Sequence, residues 1–180
     1  MIDIMRKHKM RLYRLGYIVA TVENYRNFAY CAWPLSNIKN DKIADELSTE
    51  ADDRWFTVYD MQEIIPDIEY IKRYYQYCKQ IGLDAIILLV ESTEKIWDIN
   101  DNIVIEEILG YDCIGTVYYS YLKNDYEDFK NQLRVNSYGL LCTYDDVEKF
   151  IKLRKKAIYD GINLENFWEE TPIRLSKISV

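Results

Sequence analysis

The sequence predicts an α+β fold: one domain over residues 1–180, with a mixed or antiparallel sheet packed against three to four helices. Three stretches carry that expectation. Residues 83–90 (LDAIILLV) form a continuous apolar run of strand length, which needs cover on both faces. Residues 103–122 (IVIEEILGYDCIGTVYYSYL) hold the most strand-like polar/apolar alternation in the chain. Thr143 then opens a helix with acid in its first turn and base toward its end. At 180 residues and 49% hydrophobic the chain has the size and apolar content for a real core, and three prolines with six glycines leave no long linker.

Taken in order, residues 12–22 predict a first strand, with Tyr17, Ile18, Val19, Thr21 and Val22 supplying β-branched and aromatic side chains. After a polar break at Glu23-Asn24, residues 27–33 predict a hairpin partner that Pro34 ends. Residues 36–53 are the most polar part, with Asp41, Asp45, Glu46, Glu50, Asp52 and Asp53 against Lys42 alone. They read as a solvated loop with a short helix, or as an anionic patch for a basic partner. Residues 54–59 (RWFTVY) predict a short strand whose Trp55 and Phe56 face opposite sides.

Pro66 suits a first helical turn, and Ile68, Ile71, Tyr75 and Cys78 then share one helical face up to Gly82. After the strand at 83–90, residues 97–102 predict a turn. Asp98, Asn100 and Asn102 fall short of a calcium loop, because Ile103 stands where glycine is required and Leu109 where a bidentate Glu is. Residues 103–109 predict a strand ending in a Gly110-Tyr111-Asp112 turn; residues 111–122 fit strand or helix. Residues 125–133 predict a helix through Tyr126, Phe129 and Leu133, broken at 136–139.

In the helix after Thr143, Asp146 stands at the capping-box position. Val147, Phe150, Ile151 and Ile158 make its apolar stripe, Lys149, Lys152, Lys155 and Lys156 face out, and Gly161 stops it. The tail predicts an edge strand at 173–178. No internal repeat or low-complexity tract is read from the chain.

Charge narrows the partners. The formal net charge is −7, which works against phosphate-tracking and anionic membrane surfaces and favours a basic protein. No nucleic acid and no membrane are expected as partners. The N-terminal basic residues precede only seven apolar-rich positions, 16–22, so the reading is a cytoplasmic protein without signal peptide or membrane span. Cys31, Cys78, Cys113 and Cys142 are widely spaced with no CxxC, which predicts reduced, mostly buried thiols and no zinc site.

Catalytic chemistry finds little footing. His8 is the single histidine, and no phosphate loop, GxSxG or HExxH is present. Glu106 and Glu107 with nearby Asp112 are the one carboxylate group that suggests hydrolysis, yet strand neighbours face opposite sides unless a bulge intervenes. The expectation is therefore a non-enzyme without cofactor or metal, with a carboxylate-dependent enzyme or another adaptor or mobile-element protein as alternatives. Seventeen tyrosines against five phenylalanines favour protein contact surfaces. The candidate contact residues are Asp45, Glu46, Glu50, Asp52, Asp53, Tyr118, Tyr119 and Tyr121.

The run Glu107-Ile108-Leu109-Gly110-Tyr111-Asp112 and the later Tyr138-Gly139-Leu140-Leu141, followed by the helix from Thr143, resemble small bacterial immunity proteins of polymorphic-toxin and contact-dependent inhibition systems. In those proteins a strand ends in a hydrophobic-Gly-Tyr-Asp turn, and a Tyr-Gly-Leu element precedes a C-terminal helix. The resemblance covers roughly residues 100–160. The chain departs from it at Cys113-Ile114-Gly115-Thr116, where a polar or small segment is the pattern. It implies stoichiometric inhibition of a cognate, basic protein toxin, with no toxin-binding residue transferable by position.

Overall fold

The structure, a computed structural model, describes residues 12–21, 64–80, 82, 84–93, 102–115, 120–162, 164 and 170–180. The predicted strands at 27–33 and 54–59, the acidic stretch 36–53 and most of the turn at 97–102 lie outside the described residues. The described elements run β1 (Tyr13–Thr21), α1 (Ile68–Gln80), β2 (Ala85–Ser92), β3 (Val104–Ile114), α2 (Tyr121–Phe129), α3 (Tyr144–Tyr159) and β4 (Thr171–Ser179). The strands form one antiparallel sheet in the order β1-β2-β4-β3, so the fold is α+β.

β4 is therefore an inner strand, not the edge strand expected of the tail. Its residues Ile173, Leu175 and Ile178 are all buried. Pro172, which lacks a ladder donor, stands second in the strand, near its start, where the loss is tolerated. Cross-strand registry places Tyr17, Val19, Ile87, Leu89 and Ile178 on one face, where Ile71, Tyr74 and Cys78 of α1 cover them. The opposite face carries Ile18, Leu88, Val90, Ile173 and Leu175, packed with Ile64 and Leu140. The apolar run of β2 is thus buried on both sides, as its composition requires. Its strand starts two residues later than the sequence indicates.

The helices begin where side chains satisfy their free N–H groups. Asp67 Oδ1 accepts from the N–H groups of Glu69 and Tyr70 at 3.0 and 3.2 Å and caps α1. Thr143 and Asp146 make the reciprocal capping box of α3, with Asp146 N–H donating to Thr143 Oγ1 at 3.2 Å and Thr143 N–H to Asp146 Oδ2 at 3.0 Å. Thr143→Ala should lower stability by about 1 kcal/mol, and Thr143→Ser should restore most of it, in urea denaturation.

Val147 and Phe150 of α3 are fully buried beside Cys113, Tyr121, Leu122 and Phe129, in a third cluster at the far end of β3. The helix expected at 125–133 instead spans 121–129, because its first turn is anchored to β3, as described below.

A second difference concerns the Gly110-Tyr111-Asp112 turn. β3 runs straight through it to Ile114, with Gly110 opposite Leu175 and Asp112 opposite Ile173. What the glycine serves is a close approach. A Cβ at Gly110, whose φ is 146°, would lie 2.7 Å from Leu140 Cβ and 2.8 Å from the Leu141 carbonyl oxygen. The adjacent Tyr111 exchanges two 2.9 Å backbone hydrogen bonds with Leu141, which caps this edge of the sheet.

The same tripeptide does the same work on the opposite edge. Leu15-Gly16-Tyr17 repeats Leu109-Gly110-Tyr111, and in both the leucine is the extra residue at a break in registry. Both leucines are buried in the core on one face. At Gly16 a Cβ would sit 2.6 Å from the Ile65 carbonyl oxygen, and Tyr17 exchanges bonds of 2.8 and 2.9 Å with Ile65. Each Leu-Gly-Tyr bulges the strand, admits a capping backbone, and closes an edge that would otherwise present free donors and acceptors. Gly110→Ala, combining backbone strain with the clash, should lower stability by about 2–5 kcal/mol in thermal or urea denaturation.

Candidate functional site

The chemistry-bearing side chains gather along β3, in two halves of opposite character. In its first half, Val104, Ile105, Glu106, Glu107 and Ile108 are all exposed, the three apolar ones at 66%, 40% and 52%. Registry slips between Ile105 and Glu107, so Glu106 is an inserted residue, the bulge that the paired-carboxylate reading required. Both acids then gather near Lys177. Glu106 pairs with its ammonium at 2.8 Å, and Glu107 stands opposite it in the ladder while accepting a hydrogen bond from the Tyr138 hydroxyl. The Glu106 hydrogen bond raises the Lys177 pKa, with the charges of Glu106 and Glu107 adding to it.

The second half of β3 is buried and polar. Asp112 is fully enclosed where β3 meets α2. Its Oδ2 accepts from the Ser120 hydroxyl at 2.6 Å and its Oδ1 from the Cys113 N–H at 2.6 Å. Burial pushes the Asp112 pKa up to about 7, against the opposing hydrogen bonds from Ser120 and the Cys113 and Leu122 backbones. Because Leu122 belongs to the first turn of α2, this carboxyl fixes where that helix begins. Cys113 is equally buried; desolvation first, then the charges of Asp112 and Glu170, push its thiol far up, so it is no nucleophile at neutral pH.

Beside them lies Arg154, the largest fully buried side chain among the described residues. Its Nε reaches Asp125 Oδ2 of α2 at 2.5 Å and its Nη1 reaches Glu170 Oε1 at 2.9 Å, while the guanidinium carbon lies 3.7 Å from the Tyr121 ring centroid. Lys155 Nζ is 3.1 Å from Glu170 Oε2, but that oxygen gains no aligned hydrogen bond, so the contact is one of charge only. One cation thus ties α2, α3 and the start of β4 together.

These positions revise the carboxylate constellation. Glu107 and Asp112 are five residues apart on one strand, about 15 Å at strand rise. Paired catalytic carboxylates stand within roughly 10 Å of each other. The structure therefore does not bring Glu106, Glu107 and Asp112 into one cleft: two are exposed and one is sealed.

Of the candidate contact residues, Asp45, Glu46, Glu50, Asp52, Asp53, Tyr118 and Tyr119 lie outside the described residues. Tyr121 is a correction. It is fully buried, with its ring under Arg154 and its hydroxyl against Gly115, so it is a core residue and offers no contact surface.

Known proteins provide no template for this arrangement: the chain matches no protein-family model, no curated protein and no solved structure. Among the described residues no three potential metal ligands converge, and no helix is long and apolar enough to cross a membrane. Cys78 and Cys113 are buried free thiols, and Cys142 is an exposed one.

The residues that sequence reading missed are Ser120, Asp125, Arg154, Glu170 and Tyr138. For Arg154 a signal existed. It falls seven residues after Val147 and four after Phe150, on the buried stripe of α3, whereas the neighbouring lysines fall on the outer face. A cation on an apolar stripe calls for buried anions elsewhere in the chain. Nothing local marks Asp125 and Glu170 as those anions.

Proposed function

We propose that this protein is a non-catalytic, protein-binding module of the immunity type, which neutralises a basic protein toxin by stoichiometric binding in the cytoplasm. The observation that carries the reading is the exposed half of β3, where three large apolar side chains surround two carboxylates on a chain of net charge −7. Apolar exposure concentrated on one short stretch marks an interaction surface, and acid around it selects a basic partner. The two segments that resemble immunity proteins also support it. They form one unit, joined by the Tyr111–Leu141 backbone pair and by the Tyr138 hydroxyl on Glu107.

The test is co-expression with the protein encoded immediately upstream. The expected result is that this neighbour arrests growth alone, that this chain restores growth, and that the two co-purify at equal stoichiometry. Association should slow markedly as salt rises from 50 to about 500 mM, since steering between opposite charges is screened over about a Debye length. A neighbour that neither binds nor is neutralised overturns the reading.

A further inference from the structure

The two edges of the sheet are treated alike by Leu-Gly-Tyr, yet one stretch is left out. On β3 the cap is dense from Leu109 onward. Asn136 Nδ2 donates to the Leu109 carbonyl at 2.6 Å, Leu141 pairs with Tyr111, and Ser120 bridges to Ile114. Before Leu109, no backbone partner lies on the outer side of β3 among the described residues. That same stretch holds three of the six exposed large hydrophobic residues described, Val104, Ile105 and Ile108, within five positions.

We propose that the outer edge of β3 from Val104 to Ile108 receives a short extended segment of a partner protein as a fifth strand, apolar with lysine or arginine interleaved. The proposal rests on the reading of this chain as a protein-binding module and names the surface and the form of its partner. An uncapped edge strand is a template for backbone pairing, and side chains on the added strand then decide which segment is taken.

Three features define the occupant. Among the described residues the open stretch is five residues, about 16 Å, bounded by the Asn136 cap, so only a short segment fits. The bulge at Glu106 interrupts the regular ladder, which works against long edge-to-edge pairing and limits the occupant to a short segment. Charge sets the sign. Glu106 and Glu107 are exposed on this stretch, and the one described cation that pairs there, Lys177, is already held by Glu106. A second copy of this chain would set Glu106 and Glu107 against their own counterparts, so like charge disfavours self-pairing. A basic segment instead meets two carboxylates that share one ammonium, a net negative edge.

The experiment uses the full chain and three synthetic eight-residue peptides. One alternates lysine and valine, the second alternates glutamate and valine, and the third is the lysine–valine peptide N-methylated at every residue. N-methylation keeps every side chain but removes the donors a ladder needs. The readout is backbone amide exchange and chemical shift by NMR.

The expected result is that the lysine–valine peptide shifts the amides of Val104–Ile108 and slows exchange there by about tenfold or more, while the other two peptides do neither. Doubling Glu106→Lys and Glu107→Lys should reverse the preference toward the glutamate–valine peptide. Equal effects of the methylated and unmethylated peptides, shifts confined to other residues, or no shift at all would each overturn the edge-strand proposal. None of these outcomes bears on binding of the neighbour-encoded protein. That assay reads neutralisation of the neighbour by any surface of this chain, so its failure is distinct from failure of the edge-strand proposal.

Discussion

Arg154→Ala should lower the stability of this protein by about 3–5 kcal/mol, which at its size corresponds to a melting midpoint lower by roughly 6–20 °C. The guanidinium is 1% exposed and shares its charge between Asp125 and Glu170, while its plane lies over Tyr121. Removing it strands the Asp125 carboxylate, 6% exposed, and leaves Glu170, 11% exposed, with only the charge of Lys155 beside it. The cost comes chiefly from those anions, and only secondarily from the lost stacking. Arg154→Lys should recover only part of it, because an ammonium cannot bridge two carboxylates and lie flat on a ring at once. A triple variant, Arg154→Met with Asp125→Leu and Glu170→Gln, should recover most of the stability, since no buried ion is then left unpaired. Urea denaturation of the three proteins at pH 7 tests this. An Arg154→Ala midpoint within error of wild type would remove the assigned role.

Asp112→Asn should change the pH dependence of stability more than its value at any single pH. In the unfolded chain the carboxyl titrates near 3.8, and in the fold burial raises it to about 7. The fold therefore holds the protonated acid better than the anion. That contribution is fully present below about 3.8, declines as pH rises, and is gone above about 7. At about 1.4 kcal/mol per pH unit, the swing is on the order of 4 kcal/mol. An amide does not titrate, so relative to wild type the variant should gain stability by that order between pH 4 and pH 8.

The Ser120 hydroxyl can donate to the carboxylate or accept from the acid, so the link between β3 and α2 persists in both states and the effect is energetic. The measurements are urea midpoints of both proteins at pH 4.5, 6 and 8, with carbon NMR of the Asp112 carboxyl expected to show a midpoint near 7. Parallel stability profiles for the two proteins would contradict the assignment.

Local signals located most of the described elements. The run at 83–90 announced β2, and Thr143 with Asp146 announced α3 down to its reciprocal cap. The stripe Ile68, Ile71, Tyr75 and Cys78 announced α1 but passed over Tyr74, one of its buried residues. Where local signals were ambiguous, tertiary contacts decided. Gly110 reads as a turn because glycine punctuates turns, but here it admits the backbone of Leu141 against a continuous strand. The span of α2 follows from a carboxyl nine residues earlier in the chain, out of reach of any helical periodicity.

By itself, then, the sequence determined what depends on neighbours a few residues away: the segments of β2, α1 and α3, the α3 capping box and the acidic balance. The tertiary structure alone decided that the last strand lies inside the sheet, that Tyr121 is buried, that Arg154 has Asp125 and Glu170 as counter-ions, and that Glu106 and Glu107 are far from Asp112. Each of these depends on pairing between segments distant in sequence. Such pairing is selected by the whole buried area at once, and no window of a few residues contains it.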